Sequence, residues 1–129
     1  MSAPDQTSGP YVAEPFVFVT DMDRAIEFYR SRLGFELSVS YGEPPHFAQV
    51  TLNGARLNLR HVDNVVIDPT LRTSAILLSA AITVDDAQAL FASFTASGTP
   101  FFQELRREPW GATTFIVSDP DANLILFAS

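Results

Sequence analysis

The chain nearly repeats itself at an offset of about 65 residues, and this internal repeat is the feature that most limits how it can fold. In the first copy, residues 19–28 (VTDMDRAIEF) lead to residues 33–35 (LGF); in the second, residues 84–91 (VDDAQALF) lead to residues 98–102 (GTPFF). Each copy predicts a strand, an acidic helix start, a short amphipathic helix that stops at glycine, and three more strands. Two such units can close around a shared concavity, so function should depend on the side chains that line that hollow.

Local patterns place these elements along the chain. Asp21 or Asp23 is expected to cap the first helix, and the second helix is expected over residues 85–97. Asn53-Gly54 is a strong signal for a two-residue hairpin turn. The predicted strands cover residues 14–20, 35–41, 47–52 and 55–62 in the first copy, and residues 76–84, 100–106, 112–118 and 124–128 in the second.

This order is βαβββ twice, which predicts an α+β fold of two modules with the helices on the outer face of curved sheets. We expect one compact domain with the following parts: a disordered tail over residues 1–11, the first module over 12–62, a linker over 63–74 and the second module over 75–129.

Composition disfavours several classes of function. With 129 residues, 47% of them hydrophobic, the chain can bury a real core. No apolar run approaches the roughly 20 residues of a membrane span, so no membrane association is expected. The chain has no cysteine, which excludes disulfides and thiolate metal sites and fits a cytoplasmic location. The formal net charge of −7 disfavours nucleic acid as a partner and would attract cationic ligands.

Four motifs carry a resemblance to a known family. They are residues 19–29 (VTDMDRAIEFY), 33–35 (LGF), 109–111 (PWG) and 119–127 (DPDANLILF). Together they make the chain similar to the vicinal oxygen chelate superfamily of glyoxalases, bleomycin resistance proteins and dioxygenases. The resemblance covers the chain from about residue 13 onward, and it implies the glyoxalase/bleomycin resistance fold, a curved eight-stranded cup. One departure is Ala122, where the family usually has glycine; a positive φ there would cost about 1 kcal/mol.

The resemblance also identifies four positions at which metal-dependent relatives carry histidine or glutamate. They lie in the first and last strands of each copy and are occupied here by Glu14, Asn58, Ser79 and Leu126. A divalent transition metal needs about three imidazole or carboxylate ligands, and only Glu14 qualifies. The resemblance therefore implies that this chain has lost the metal site and uses no cofactor.

Alternation along the strands predicts the rest of the lining. If Glu14 faces the hollow, Phe16 and Phe18 face it too. The other inward side chains are then Phe47, Gln49 and Thr51 on the third strand, Arg56, Asn58 and Arg60 on the fourth, and Leu124 and Leu126 on the last. Such a hollow, aromatic with a few polar groups, suits a flat organic ligand. The alternatives are plain core packing for the two phenylalanines and an ion pair with Arg56 or Arg60 for Glu14.

Trp110 points to one branch of the superfamily. A Pro-Trp-Gly segment at this place resembles the bleomycin resistance proteins, in which the tryptophan and a phenylalanine of the third strand flank a groove for the planar part of a cationic drug. Phe47 stands where that phenylalanine would be. The resemblance therefore implies that a planar ligand stacks between Phe47 and Trp110. The alternative is that Trp110 only helps the chain to pack.

The leading hypothesis is a metal-independent binding protein, with no catalytic residues, that sequesters a planar, cationic small molecule. The expected ligand-binding residues are Phe47 and Trp110 for stacking, Glu14, Asn58 and Arg60 for orientation, and Phe16 and Phe18 in the lining. As the resemblance implies, two chains would form a homodimer in which modules of both complete each cup. Two alternatives stay open. The first is an enzyme with an atypical metal site, either a glyoxalase-like lyase or isomerase or a dioxygenase-type enzyme. The second is a dimer module that binds no ligand.

Overall fold

The computed structural model describes residues 11–129, so residues 1–10 of the predicted tail lie outside the described part. The first module contains β1 (Phe16–Val19), α1 (Met22–Ser31), β2 (Glu36–Tyr41), β3 (Phe47–Leu52) and β4 (Ala55–His61). After a short helix, α2 (Pro69–Ser74), the second module contains β5 (Leu78–Thr83), α3 (Ala87–Ala96), β6 (Phe101–Arg107), β7 (Thr113–Ser118) and β8 (Leu124–Ala128). Both copies therefore have the βαβββ order that the repeat predicts.

The two modules share one sheet topology. The strand order is β1-β4-β3-β2 in the first sheet and β5-β8-β7-β6 in the second. In each sheet the first strand pairs in parallel with the last, and the other neighbours are antiparallel. The equivalent edge strands β1 and β5 lie beside each other. The predicted α+β fold of two βαβββ modules is confirmed, as two adjoining four-stranded sheets.

The two long helices begin at equivalent aspartates. Asp21 Oδ1 accepts a hydrogen bond from Arg24 N at 3.1 Å, and Asp86 Oδ1 accepts one from Ala89 N at 3.0 Å. Each carboxylate satisfies a backbone donor that a helix start leaves free. Helix α1 then buries a single stripe of side chains: Met22, Ala25, Phe28 and Tyr29. None of the helices within residues 11–129 is long and apolar enough to cross a membrane.

The segment between the modules contains α2, a helix that the sequence analysis did not predict. Asp68 caps it by accepting a hydrogen bond from Thr70 N at 3.0 Å, and Pro69 suits its first turn. Tertiary contacts hold it in place, because the buried Arg72 donates to Leu77 O at 2.6 Å and to Ser79 Oγ at 2.9 Å. A helix of six residues is too short to show a clear hydrophobic period, which is why it escaped prediction.

A continuous hydrophobic core joins the buried residues of both modules. In the second module its centre is Phe115, which is fully buried. The Phe115 ring stacks on Phe127, with centroids 5.1 Å apart and an interplanar angle of 12°. Phe91, Phe94 and Phe101 meet the Phe115 ring edge-on, at centroid distances of 5.4, 5.8 and 5.7 Å. Five aromatic rings from α3 and three strands therefore fix how this helix lies on its sheet.

The turn between β7 and β8, residues 119–123, attaches the second module to the first. Asp119 Oδ2 accepts a hydrogen bond from the Tyr29 hydroxyl at 2.9 Å, and Asn123 Nδ2 donates to Phe18 O at 2.9 Å. Burial raises the pKa of both Asp119 and Tyr29. Ala122 has a φ of 64°, the left-handed conformation that glycine adopts more cheaply. The turn that connects the modules therefore contains one residue in a strained backbone conformation.

Candidate ligand-binding site

The face of the first sheet turned away from α1 is here called the open face, and its side chains are those of Phe16, Phe18, Phe47, Gln49, Asn58 and Arg60. Val17 and Val19 of β1 are fully buried under the helix, whereas Phe16 and Phe18 are 50% and 40% exposed. Strand register places Phe16 opposite Asn58 and Phe18 opposite Arg60. It also places Phe47 opposite Arg60 and Gln49 opposite Asn58. Directly opposed residues share a face, so these six side chains form one surface.

A polar cluster around Glu14 occupies one end of the open face. Glu14 Oε1 accepts from Gln49 Nε2 at 3.1 Å and from Asn58 Nδ2 at 3.2 Å. Glu14 Oε2 accepts from Arg56 Nη1 at 3.0 Å. Gln49 Nε2 also donates to Asn58 Oδ1 at 3.0 Å, which closes the cluster. The hydrogen bond from Arg56, followed by that from Asn58, holds the pKa of Glu14 below its usual value. This carboxylate is therefore charged at neutral pH, and each of its oxygens already accepts a hydrogen bond.

The other end of the open face is aromatic. The rings of Phe16 and Phe47 are 6.2 Å apart, centroid to centroid, and inclined at 49°. Phe18 lies two residues further along β1, and Arg60 lies between Phe18 and Phe47 in the strand register. Three phenylalanine rings at an accessible surface are an apolar platform of the kind that flat ligands cover.

Trp110 lies at the tip of the loop between β6 and β7, on the second sheet, and is 74% exposed. The loop is closed by hydrogen bonds from Glu108 N to Ala112 O at 2.7 Å and from Gly111 N to Glu108 O at 2.9 Å. Gly111 has a φ of 101°, which a residue with a side chain would adopt only under strain. Within residues 11–129, no ring contact joins Trp110 to Phe47. The structure therefore groups the expected residues of the first module, whereas the participation of Trp110 in the same site stays a prediction.

Glu108 supports the Trp110 loop and was missed by sequence reasoning. Its side chain is 8% exposed and accepts hydrogen bonds from Thr114 Oγ1 at 2.7 Å and from Arg106 Nε at 3.1 Å. The hydrogen bond from Thr114, followed by that from Arg106, lowers the pKa of Glu108. In the sequence Glu108 ends a charged run and resembles a solvated residue. The available signal was Thr114, a polar residue within an apolar strand that needs a buried partner.

A separate groove of about 720 Å³ lies between the modules. Its walls are the segment just before β1, the β3–β4 hairpin, the end of β5 and the N-terminal part of α3. None of the expected ligand-binding residues lines it. Of its two neighbouring carboxylates, Asp86 is already used to cap α3. The open face offers the better-defined surface because its aromatic and polar groups converge.

Comparison with known proteins identifies the family. The family model described as Glyoxalase/Bleomycin resistance protein/Dioxygenase superfamily matches residues 10–127. The chain belongs to this superfamily. No curated protein sequence matches the chain. The individual proteins to which it is similar are solved structures.

Three superfamily structures illustrate the range of relatives. The bleomycin resistance determinant encoded on transposon Tn5 has a TM-score of 0.75 at 19% identity, covering 93% of this chain and 98% of that one. The bleomycin-binding protein of Streptomyces verticillus, complexed with copper(II)-bleomycin, has a TM-score of 0.70 at 21% identity, covering 93% and 96%. Lactoylglutathione lyase of Agrobacterium tumefaciens has a TM-score of 0.66 at 19% identity, covering 94% of each chain. At these identities the similarity shows the fold.

The positions that hold metal in metal-dependent superfamily members do not fit a metal here. Glu14 is engaged by three side chains, one of them the cation Arg56 at 3.0 Å. Ser79 Oγ accepts from Arg72 and donates to Asn123 Oδ1 at 3.3 Å. Asn58 and Leu126 complete the four positions and supply one amide and one hydrocarbon. A site with one carboxylate beside a guanidinium lacks the donors that a divalent cation requires. Within residues 11–129 no group of three or more His, Asp or Glu side chains could hold a metal ion.

Replacing Glu14 with glutamine tests the polar cluster through its pH dependence. Because the pKa of Glu14 is lowered in the folded chain, its charge stabilises the fold above the ordinary pKa, and this contribution is lost as pH falls through the lowered value. We therefore expect Glu14→Gln to melt below the parent chain at about pH 7 and the gap to narrow towards about pH 3. Thermal melts across this range measure it, with Glu27→Gln on the exposed face of α1 as control. A gap that stays constant with pH would contradict the assignment.

Proposed function

We propose that this superfamily member is a metal-independent binding protein that sequesters a planar small molecule on its open face. The observation that carries the proposal is the accessible aromatic surface of Phe16, Phe18 and Phe47 beside a polar cluster whose charges are already paired. A flat ligand covering the three rings would bury apolar surface on both partners. The half-buried amide of Gln49 would contact its polar edge, whereas Asn58, 4% exposed, holds Glu14 from beneath the surface. The bleomycin-binding proteins among the similar structures support this class of function.

Trp110 enters the proposal as a second wall of the groove. Phe47 lies on β3 of the first sheet and Trp110 in the loop between β6 and β7 of the second, so a ligand would touch both where a first sheet faces a second one. A homodimer would bring the second sheet of one chain over the open face of another, and it would also cover the exposed phenylalanines. We therefore propose a homodimer, which sedimentation of the purified protein would test. The absence of cysteine agrees with a reducing, cytoplasmic location for such a protein.

The direct test uses Trp110 as a reporter, since it is the only tryptophan in the chain. Purified protein is titrated with bleomycin and with proflavine, a planar cation, while tryptophan emission is recorded. We expect saturable quenching, and an affinity about 10-fold weaker in Phe47→Ala because one stacking contact is lost. Leu71→Ala, which removes an exposed apolar side chain on α2, is the control and should bind as the parent does.

Two further observations would each remove one part of the proposal. A flat emission trace with both compounds would make Trp110 a surface residue without a role in binding. Affinity for proflavine that does not weaken with added salt would remove the argument that the net charge of −7 attracts cations, since such attraction is screened over about 8–10 Å.

The similarity to a lactoylglutathione lyase favours a second candidate, a glyoxalase-like enzyme with an unusual metal site. This candidate requires zinc, nickel or manganese to bind the purified protein and an activity that Glu14→Ala abolishes. Isothermal titration with each metal separates the two functions. Metal binding with a defined stoichiometry would favour the enzyme, and the absence of binding heat would favour the binding protein.

A further inference from the structure

Arg60 is a positively charged side chain of the open face, and it is unpaired. It is exposed on β4, with Phe18 of β1 opposite it on one side and Phe47 of β3 on the other. Within residues 11–129 it has no hydrogen-bond or ion-pair partner. An exposed guanidinium without a partner is free to bind an anionic oxygen group through charge-assisted hydrogen bonds.

The charges of Glu14 and Arg56, on the same face, are paired with each other and leave Arg60 without a partner. Arg56, two residues earlier on the same strand and face, binds Glu14 Oε2 at 3.0 Å. The carboxylate of Glu14 is thereby satisfied, and it also receives hydrogen bonds from Gln49 and Asn58. Most other arginines are also engaged: Arg24, Arg32, Arg72 and Arg106 each contact a carboxylate, a carbonyl or a hydroxyl. On this face the carboxylate of Glu14 is therefore already paired, whereas the positive charge of Arg60 is free.

We propose that the planar ligand carries an anionic oxygen group, such as a carboxylate, and that Arg60 binds it while the ring rests on Phe18 and Phe47. This proposal rests on the proposed function. The guanidinium presents two parallel N–H donors that match the two oxygens of a carboxylate. Its position between the two rings would place that group at the edge of a stacked aromatic system. The overall charge of −7 influences how a ligand approaches according to the ligand's net charge. Arg60 instead binds one anionic group of the ligand once the two are in contact.

The test compares two probes of the same shape, 2-naphthoate and 2-naphthamide, which differ in charge. Isothermal titration of the purified protein should show naphthoate binding about 10-fold more tightly, as expected for a charge-assisted pair. Arg60→Gln should remove this preference while leaving naphthamide affinity unchanged. Arg60→Lys, which keeps the charge but loses the fork, should retain only part of it. Arg30→Gln, with the same change of charge at an exposed position on α1, should behave as the parent.

The outcomes separate this proposal from the one on which it rests. If both probes bind and Arg60→Gln leaves their ratio unchanged, the anion site is overturned and the planar-ligand site stands. If naphthamide binds as tightly as naphthoate in the parent, the anion site is likewise overturned. If neither probe binds the parent although proflavine does, the anion site is overturned and the planar-ligand site stands, whereas failure of proflavine as well overturns both proposals. Arg60 is exposed, so its variants should fold, and a circular dichroism spectrum of each verifies this.

Discussion

Asp119→Ala is expected to lower the free energy of unfolding by about 3–5 kcal/mol, a large effect for a residue outside the hydrophobic core. Both carboxylate oxygens of Asp119 are used. Oδ1 accepts from Asp121 N at 2.9 Å and from Asn123 N at 2.8 Å. Oδ2 accepts from the Tyr29 hydroxyl and from Asn123 Nδ2, each at 2.9 Å. Alanine would leave the two backbone donors and the Tyr29 hydroxyl without this acceptor, and Asn123 Nδ2 with Phe18 O alone, in a region where water has little access.

Denaturant unfolding measures this effect, with two variants for comparison. Asp63→Ala removes the same charge from an exposed position and should change stability by less than about 0.5 kcal/mol. Tyr29→Phe removes a single donor and should cost about 1 kcal/mol. If Asp119→Ala were no worse than Tyr29→Phe, the turn would not be the anchor that its hydrogen bonds indicate.

Phe115→Ala is expected to have an effect of similar size, about 3–5 kcal/mol, for a different reason. The ring is fully buried and touches four other aromatic rings. Its removal loses the transfer free energy of a phenyl group and leaves a cavity whose walls are rigid rings that cannot collapse easily. Denaturant unfolding with an unchanged slope would report this as a loss of packing alone.

Phe102→Ala is the matched control for Phe115→Ala. It makes the same chemical change on β6, where the side chain is 37% exposed. Less surface is buried there and no closed cavity forms, so a cost of about 1 kcal/mol or less is expected. Equal losses in the two variants would mean that the stacked rings do not hold α3 on its sheet.

Much of this fold can be predicted from the sequence because its signals are local and occur twice. Asp21 and Asp86 both cap helices, and Asn53-Gly54 joins β3 and β4 at the predicted residues. Helix α2 could not be predicted this way, since its position depends on hydrogen bonds that Arg72 makes with residues beyond the helix.

The candidate site was predictable only in part. Alternation along the strands places Glu14 with the arginines of β4, and the ion pair forms with Arg56. Gln49 joins the Glu14 cluster, and Arg60 stays unpaired, because of how β1, β3 and β4 align with one another. The sequence of one strand does not reveal this register. The role of Glu108 follows in the same way from its contact with Thr114. The stacking of a planar ligand between Phe47 and Trp110 stays a prediction, because Phe47 lies on the first sheet and Trp110 in a loop of the second module.

The contacts between the modules have a consequence for how the chain folds. Asn123 of the second module is bonded to Phe18 of the first, and Arg32 at the end of α1 donates to Ser97 O near the end of α3 at 2.8 Å. Each repeat on its own would therefore lack the partners for these polar groups. When one half of the chain opens, the other loses hydrogen-bond partners at both ends of the contact. We therefore expect the duplicated sequence to unfold as one cooperative unit, in which the two copies gain and lose their structure together.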